Sequence, residues 1–141
     1  MWVQPIPVKQ IGLFVVRNLD VEKLRQAVAA EEAALFAYLF GSSAAGDTSP
    51  LSDVDVAVYP SGALNFDDRL GIIQRLSLKM VLDNLDVAFL DRVQNLYLLN
   101  AIIEEGILLL DRDRDRRELF EVNTQHKFLD FQYQRKLFMG E

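Results

Sequence analysis

The residues of this chain best suited to chemistry are Gly41, Ser42, Asp53 and Asp55. Gly41-Ser42 ends an apolar run over residues 35–40 and opens a stretch of small and polar residues that closes at Pro50-Leu51-Ser52. Two carboxylates then follow at i and i+2 within Asp53-Val54-Asp55-Val56-Ala57-Val58-Tyr59. In a β-strand that spacing sets both on one face. Ionised groups so close repel each other and resist losing water, so an apolar strand carries them only with a counter-charge. A divalent cation supplies one, and oxygen-only ligands select a hard ion, Mg²⁺ or Mn²⁺. A Gly/Ser turn beside that pair can hold phosphate on its backbone N–H groups. The chemistry these residues suit together is phosphoryl or nucleotidyl transfer.

A rival phosphate motif is excluded. Gly41-Ser42-Ser43-Ala44-Ala45-Gly46 has the spacing of a P-loop, which then needs Lys and Ser or Thr. Asp47-Thr48 follows instead, with an acid where the cation is required.

The elements that must position these residues read as an alternating α/β chain. Residues 11–16 form a short strand or extended arm. Asn18 or Asp20 caps a helix running to about Ala30. Residues 35–40 form a buried strand that delivers the chain to Gly41, and residues 41–52 form the loop before the Asp-x-Asp strand. Asp67 is expected to cap a helix over about 68–82, with Leu70, Ile73, Leu76 or Ser77, and Met80 on its inner face. A strand follows at 85–90, and a helix between two strands of one sheet favours a parallel crossover. Neighbouring strands lie about 4.8 Å apart, so in matching register Asp86 completes a three-carboxylate cluster with Asp53 and Asp55. Asp83 and Asp91, at element ends, read as cap or turn residues. A helix from about Val93 to Glu105 ends with Gly106 in a C′ role. Residues 107–110 form a short strand, and one long helix covers about 113–139.

These residues resemble the nucleotidyltransferase superfamily of the DNA polymerase β type. Within it the nearest likeness is to the minimal nucleotidyltransferases (MNT) that pair with HEPN-domain toxins. That pattern is Gly-Ser, about ten residues, Asp-x-Asp, and a third Asp on a later strand; Gly41, Ser42, Asp53, Asp55 and Asp86 fit it, as does Ser52 before the first Asp. The likeness covers about residues 33–90. One position departs: the family commonly carries Arg before the second Gly of the loop, and here Ala45 precedes Gly46. The resemblance implies an α/β fold (an α+β mixed sheet flanked by helices) and Mg²⁺-dependent transfer of AMP from ATP to a protein hydroxyl, a tyrosine of the cognate HEPN ribonuclease toxin. It further implies that Asp53, Asp55 and Asp86 bind metal and carry catalysis, and that Gly41 and Ser42 hold the nucleotide phosphates. Three alternatives stand beside it: an antitoxin that masks its toxin without chemistry, a small-molecule nucleotidyltransferase of the aminoglycoside-modifying kind, and a nucleic-acid-extending enzyme.

Composition narrows these. The 141 residues read as a single domain, and 50% are hydrophobic, enough for a real core. The net charge of −6 disfavours broad capture of nucleic acid. With no cysteine there is neither disulfide nor thiolate chemistry, which fits the cytoplasm. No apolar run reaches the ~18 residues of a membrane span, and the N-terminus lacks the pattern of a secretion signal.

Outside the motif, His126 is the sole histidine and reads as structural. The run Arg112-Asp113-Arg114-Asp115-Arg116-Arg117 reads as a solvated first helical turn, with a lesser reading in which some arginines meet ATP phosphates or a partner. The last helix carries two stripes. Leu119, Val122, His126, Leu129, Tyr133 and Leu137 form one; Phe120, Phe128, Phe131 and Phe138 form the other. Packing on a sheet needs one stripe, so the second is expected to face a partner, with core packing and a homodimer as the alternative.

Overall fold

The computed structural model describes residues 19–44 and 53–140. The expected strand at 11–16, Ala45, and the loop residues through Ser52 lie outside them. The elements run α1 (Val21–Ala29), β1 (Ala34–Phe40), β2 (Val54–Pro60), α2 (Phe66–Met80), β3 (Leu85–Phe89), α3 (Leu96–Glu105), β4 (Ile107–Asp111) and α4 (Arg114–Met139).

The strands form one mixed sheet in the order β3-β2-β1-β4. β1 is antiparallel to both β2 and β4, and the α2 crossover makes β2 and β3 parallel. Strand alternation divides the core between the two faces. Ala37, Leu39, Val54, Val56 and Val58 pack with Leu24 and Val28 of α1 and Ile72, Leu76 and Met80 of α2. On the other face Phe36, Tyr38 and Ala57 pack with Leu99 and Ile102 of α3, joined by Tyr59 and by Phe120 of α4. No helix among the described residues is long and apolar enough to cross a membrane.

Several expectations are corrected. α2 starts earlier than expected because Asn65, not Asp67, caps it: the Asn65 side chain accepts from the Asp68 N–H at 2.8 Å, and Asp68 accepts from the Asn65 N–H at 3.1 Å. On its inner face Leu76 and Met80 are buried and Ile73 packs on the core as expected, but Arg69 and Ile72 are buried there too and Leu70 is turned outward. α3 starts at Leu96 behind an Asn95 cap. Gly106 ends it in an extended conformation, not the left-handed one of a C′ glycine; a Cβ there would run into the Ile102 carbonyl.

The arginine run is a solvated first turn only in part: Arg114, Asp115 and Arg116 are exposed, but Arg112 and Arg117 are engaged by the fold. Arg112 donates to the carbonyls of Glu31 (2.8 Å), Ala34 (2.7 Å) and Ala29. Arg117 bridges Asp111 at 2.8 Å and Glu121 at 3.2 Å, while Glu121 accepts from the Tyr38 hydroxyl at 2.6 Å. Together these contacts tie the start of α4 to the sheet. Asp91 is likewise more than a turn residue, since it takes a two-point ion pair from Arg69 at 2.8 and 2.9 Å. His126 lies exposed on α4.

Candidate active site

β1 ends at Phe40, and Gly41 to Ala44 turn the chain away from the sheet. Gly41 has φ +76, a left-handed conformation that favours glycine. A Cβ there would stand 2.5 Å from Oδ2 of Asp55, so the missing side chain makes room for a carboxylate. Ser42 is half-buried in the same turn. Ser43, which sequence reasoning passed over, donates its hydroxyl to the Asp53 carbonyl at 3.3 Å and ties the turn to the entry of β2. A hydroxyl at that loop position was a legible signal, but its partner was not.

Asp53 lies exposed just before β2, and Asp55 is half-buried within it. By alternation both share the face of Ala57 and Tyr59, the side covered further along by α3 and α4. The parallel pairing of β2 with β3 sets Asp55 directly beside Asp86, the register expected from sequence. On its other side Asp55 pairs with Phe40, immediately before Gly41. Strand order alone therefore brings the Gly-Ser turn, Asp53, Asp55 and Asp86 to one end of one sheet face.

The electrostatics follow from that crowding. Burial pushes the Asp55 carboxyl above its ordinary range, and the charges of Asp86 and then Asp53 push it further in the same direction. Among the described residues no three acidic, histidine or cysteine side chains are already gathered around an ion position. The donors present are nonetheless all carboxylate oxygens on one face, with one of them strained toward its neutral form. That donor set fits a hard divalent cation, which would relieve the repulsion.

A second charged pair stands at the opposite end of β3 from Asp86. Arg69, buried on α2, lies 4.9 Å over the Phe89 ring and clamps Asp91 just past β3. Its guanidinium holds the Asp91 carboxyl below the usual carboxylate range. The signal for this pair was a cation at the 69-72-76-80 spacing of a buried helix face, which needs an acid opposite it.

Comparison with known proteins agrees with this geometry. The family model for polymerase beta nucleotidyltransferases matches residues 22–115. No curated protein matches the chain significantly. Among solved structures, the fold is similar to a chain of a toxin–antitoxin complex with AMP-PNP, at 24% identity, covering 86% of this chain and 97% of that one, TM-score 0.71. A mutant MntA–HpeT toxin–antitoxin complex gives the same figures: 24% identity, 86% and 97% coverage, TM-score 0.71. The complex of a tri-AMPylated Shewanella oneidensis HEPN toxin with its MNT antitoxin is similar at 21% identity, covering 85% and 92%, TM-score 0.64.

Proposed function

Since this chain belongs to the polymerase β nucleotidyltransferase family, we propose that it transfers AMP from ATP to a tyrosine hydroxyl of a cognate HEPN-type toxin and so acts as its antitoxin. The observation that carries this reading is the register of Asp55 with Asp86, closed from behind by Gly41. Support for the partner comes from the likeness to toxin–antitoxin complexes, one with an AMPylated toxin and one with an ATP analogue.

In this mechanism Asp53 and Asp55 would hold Mg²⁺ or Mn²⁺ ions, and Asp86 would be a further ligand of the catalytic one. The ion, when bound, neutralises charge that builds on the α-phosphate and the departing pyrophosphate. Gly41 and Ser42 hold the β- and γ-phosphates through backbone N–H groups and the Ser42 hydroxyl. The tyrosine oxygen forms its bond to the α-phosphorus as the bond to the β-phosphate oxygen breaks, pyrophosphate leaves, and Asp86 helps to take the hydroxyl proton. The chain is proposed to do this as a single cytoplasmic domain.

The exposed end of α4 favours a second reading, in which the chain silences its toxin by docking alone. Titration of ATP with and without Mg²⁺ tests the site. Affinity should depend on the metal and collapse in Asp53→Asn/Asp55→Asn with the fold intact. Unchanged metal-dependent affinity in that variant would remove the site assignment.

A further inference from the structure

The face that carries Asp55 and Asp86 continues past Ala57 to Tyr59 and Leu90, four residues further on, about 13 Å away at ~3.3 Å per residue. There, between α4 and the segment joining β3 to α3, lies a groove of ≈ 520 Å³. Leu90, Leu96, Leu119 and Phe120 give it an apolar lining, with Tyr59 packed against Phe120 at 5.3 Å. Asn123, Gln94 and Thr124 add hydrogen-bonding groups, and Thr124 is 5% exposed although polar.

Charge marks the two ends of the groove. Arg116 and Lys127 line it from one stripe of α4, eleven residues apart, or about 16 Å along the axis. Neither makes an ion pair among the described residues. The one acid on the wall, Asp91, is already held by Arg69. The groove thus carries two free cations on a chain of net charge −6, one at each end of its apolar lining.

We propose that this groove binds an extended segment of a partner protein with the pattern acid-x-apolar-x-acid. In an extended chain residues i, i+2 and i+4 share one face, and i to i+4 span about 13 Å. The flexible arms of Arg116 and Lys127 cover the remainder, the central apolar side chain enters between Leu119 and Leu90, and the amides meet the peptide backbone. A mononucleotide concentrates its charge at one end and leaves one cation without a partner. Docked here, a partner segment holds its protein on the sheet face that bears the three carboxylates. The inference rests on the transfer reading only for the identity of that partner.

The test is an NMR titration of the full chain, without metal or nucleotide, with acetyl-Glu-Gly-Leu-Gly-Glu-amide and its double-glutamine counterpart. The acidic peptide should shift the amides of residues 90–96 and 116–127, and the counterpart should bind at least tenfold more weakly. Arg116→Gln/Lys127→Gln should lose binding by the same factor with an unchanged melt, both side chains being exposed. Equal binding of the two peptides, shifts confined elsewhere, or tighter occupancy of the groove by AMP or a trinucleotide would overturn it. A separate arm keeps the two readings apart. Adenylyl transfer to the partner at unchanged KM by Arg116→Gln/Lys127→Gln removes the groove and leaves the transferase. Peptide binding with no transfer by the wild type does the reverse.

Discussion

At Asp55, burial and two acidic neighbours act in one direction, and the sign of the consequence follows. A carboxyl raised in the fold holds its proton more tightly there than in the unfolded chain. Its contribution is therefore fully present below the ordinary carboxylate range and is lost as pH rises through the raised value. Asp55→Asn should raise the metal-free melting temperature at neutral pH, on the order of 2 °C, while leaving acid stability nearly unchanged. Mg²⁺ should stabilise the wild type, by about 2.7 kcal/mol at a hundredfold excess over its Kd, and should leave Asp53→Asn/Asp55→Asn unmoved. Thermal melts with and without the ion check both; an equal Mg²⁺ gain in the variant contradicts the carboxylate site. Gly41→Ala meets both a left-handed backbone and the Asp55 carboxylate. It should cost about 1–2 kcal/mol and abolish the Mg²⁺ response, because the added methyl displaces the ligand.

Among the elements, the connection into β3 is strained. Val81 caps α2 at φ 54 and ψ 49, a conformation that a β-branched residue rarely adopts, and its side chain is 82% exposed. Val81→Asn should stabilise the chain by about 1 kcal/mol, seen as a rise of roughly 3 °C, since no packing is lost. α4 divides along its length. At 26 residues it spans about 39 Å, far beyond a four-stranded sheet of roughly 15–20 Å, so its second half overshoots. Phe120 packs on Phe36 and Tyr59 at 5.5 and 5.3 Å, Phe128 and Phe131 lean on Tyr97, and Phe138 stands 92% exposed. The aromatic stripe expected to face a partner is therefore core at its start and open at its end, while Leu119 to Leu137 form the exposed stripe. Leu137→Ser/Phe138→Ser should leave the melt unchanged and abolish partner association, whereas Phe120→Ala should cost about 3–5 kcal/mol. Size-exclusion chromatography of the lone chain separates loss of a partner from loss of a homodimer. β1 to β4 were legible in sequence because apolar runs and period-two alternation are local signals, and the pairing of Asp55 with Asp86 followed only on the condition that β2 and β3 are neighbours in matching register. The inner face of α2 was legible in part: Leu76 and Met80 are buried and Ile73 packs on the core as expected, whereas Leu70 is exposed and the first buried position is Arg69, a cation that hydrophobic periodicity does not mark. The ties of Arg112 and Arg117 were also hidden: alternating charges look solvated until the fold brings carbonyls and acids from distant segments to meet them.

At the scale of the molecule, two faces of one sheet divide the labour. α1 and α2 close the first with aliphatic side chains. The second is closed only along part of its length, by α3 and the first half of α4, and the three carboxylates lie on that face at its open end. An open end suits a large acceptor, since a protein hydroxyl must reach the carboxylates without entering a closed pocket. On the proposed function, the groove beyond Tyr59 and the free end of α4 would offer further places for that partner to rest. Acid should lower the melting temperature of the chain: the Asp91 carboxyl is held low by Arg69, so its contribution to fold stability is present above the ordinary carboxylate range and is lost as pH falls through the lowered value. The most direct measurement is the intact mass of the HEPN-type partner after incubation with this chain, ATP and Mg²⁺. The account predicts a mass increase of one or more adenylyl groups on tyrosine, abolished by Asp53→Asn/Asp55→Asn and strongly reduced by Asp86→Asn, which should still bind ATP. An unmodified partner that is nonetheless fully neutralised, by wild type and Asp53→Asn/Asp55→Asn alike, would contradict it.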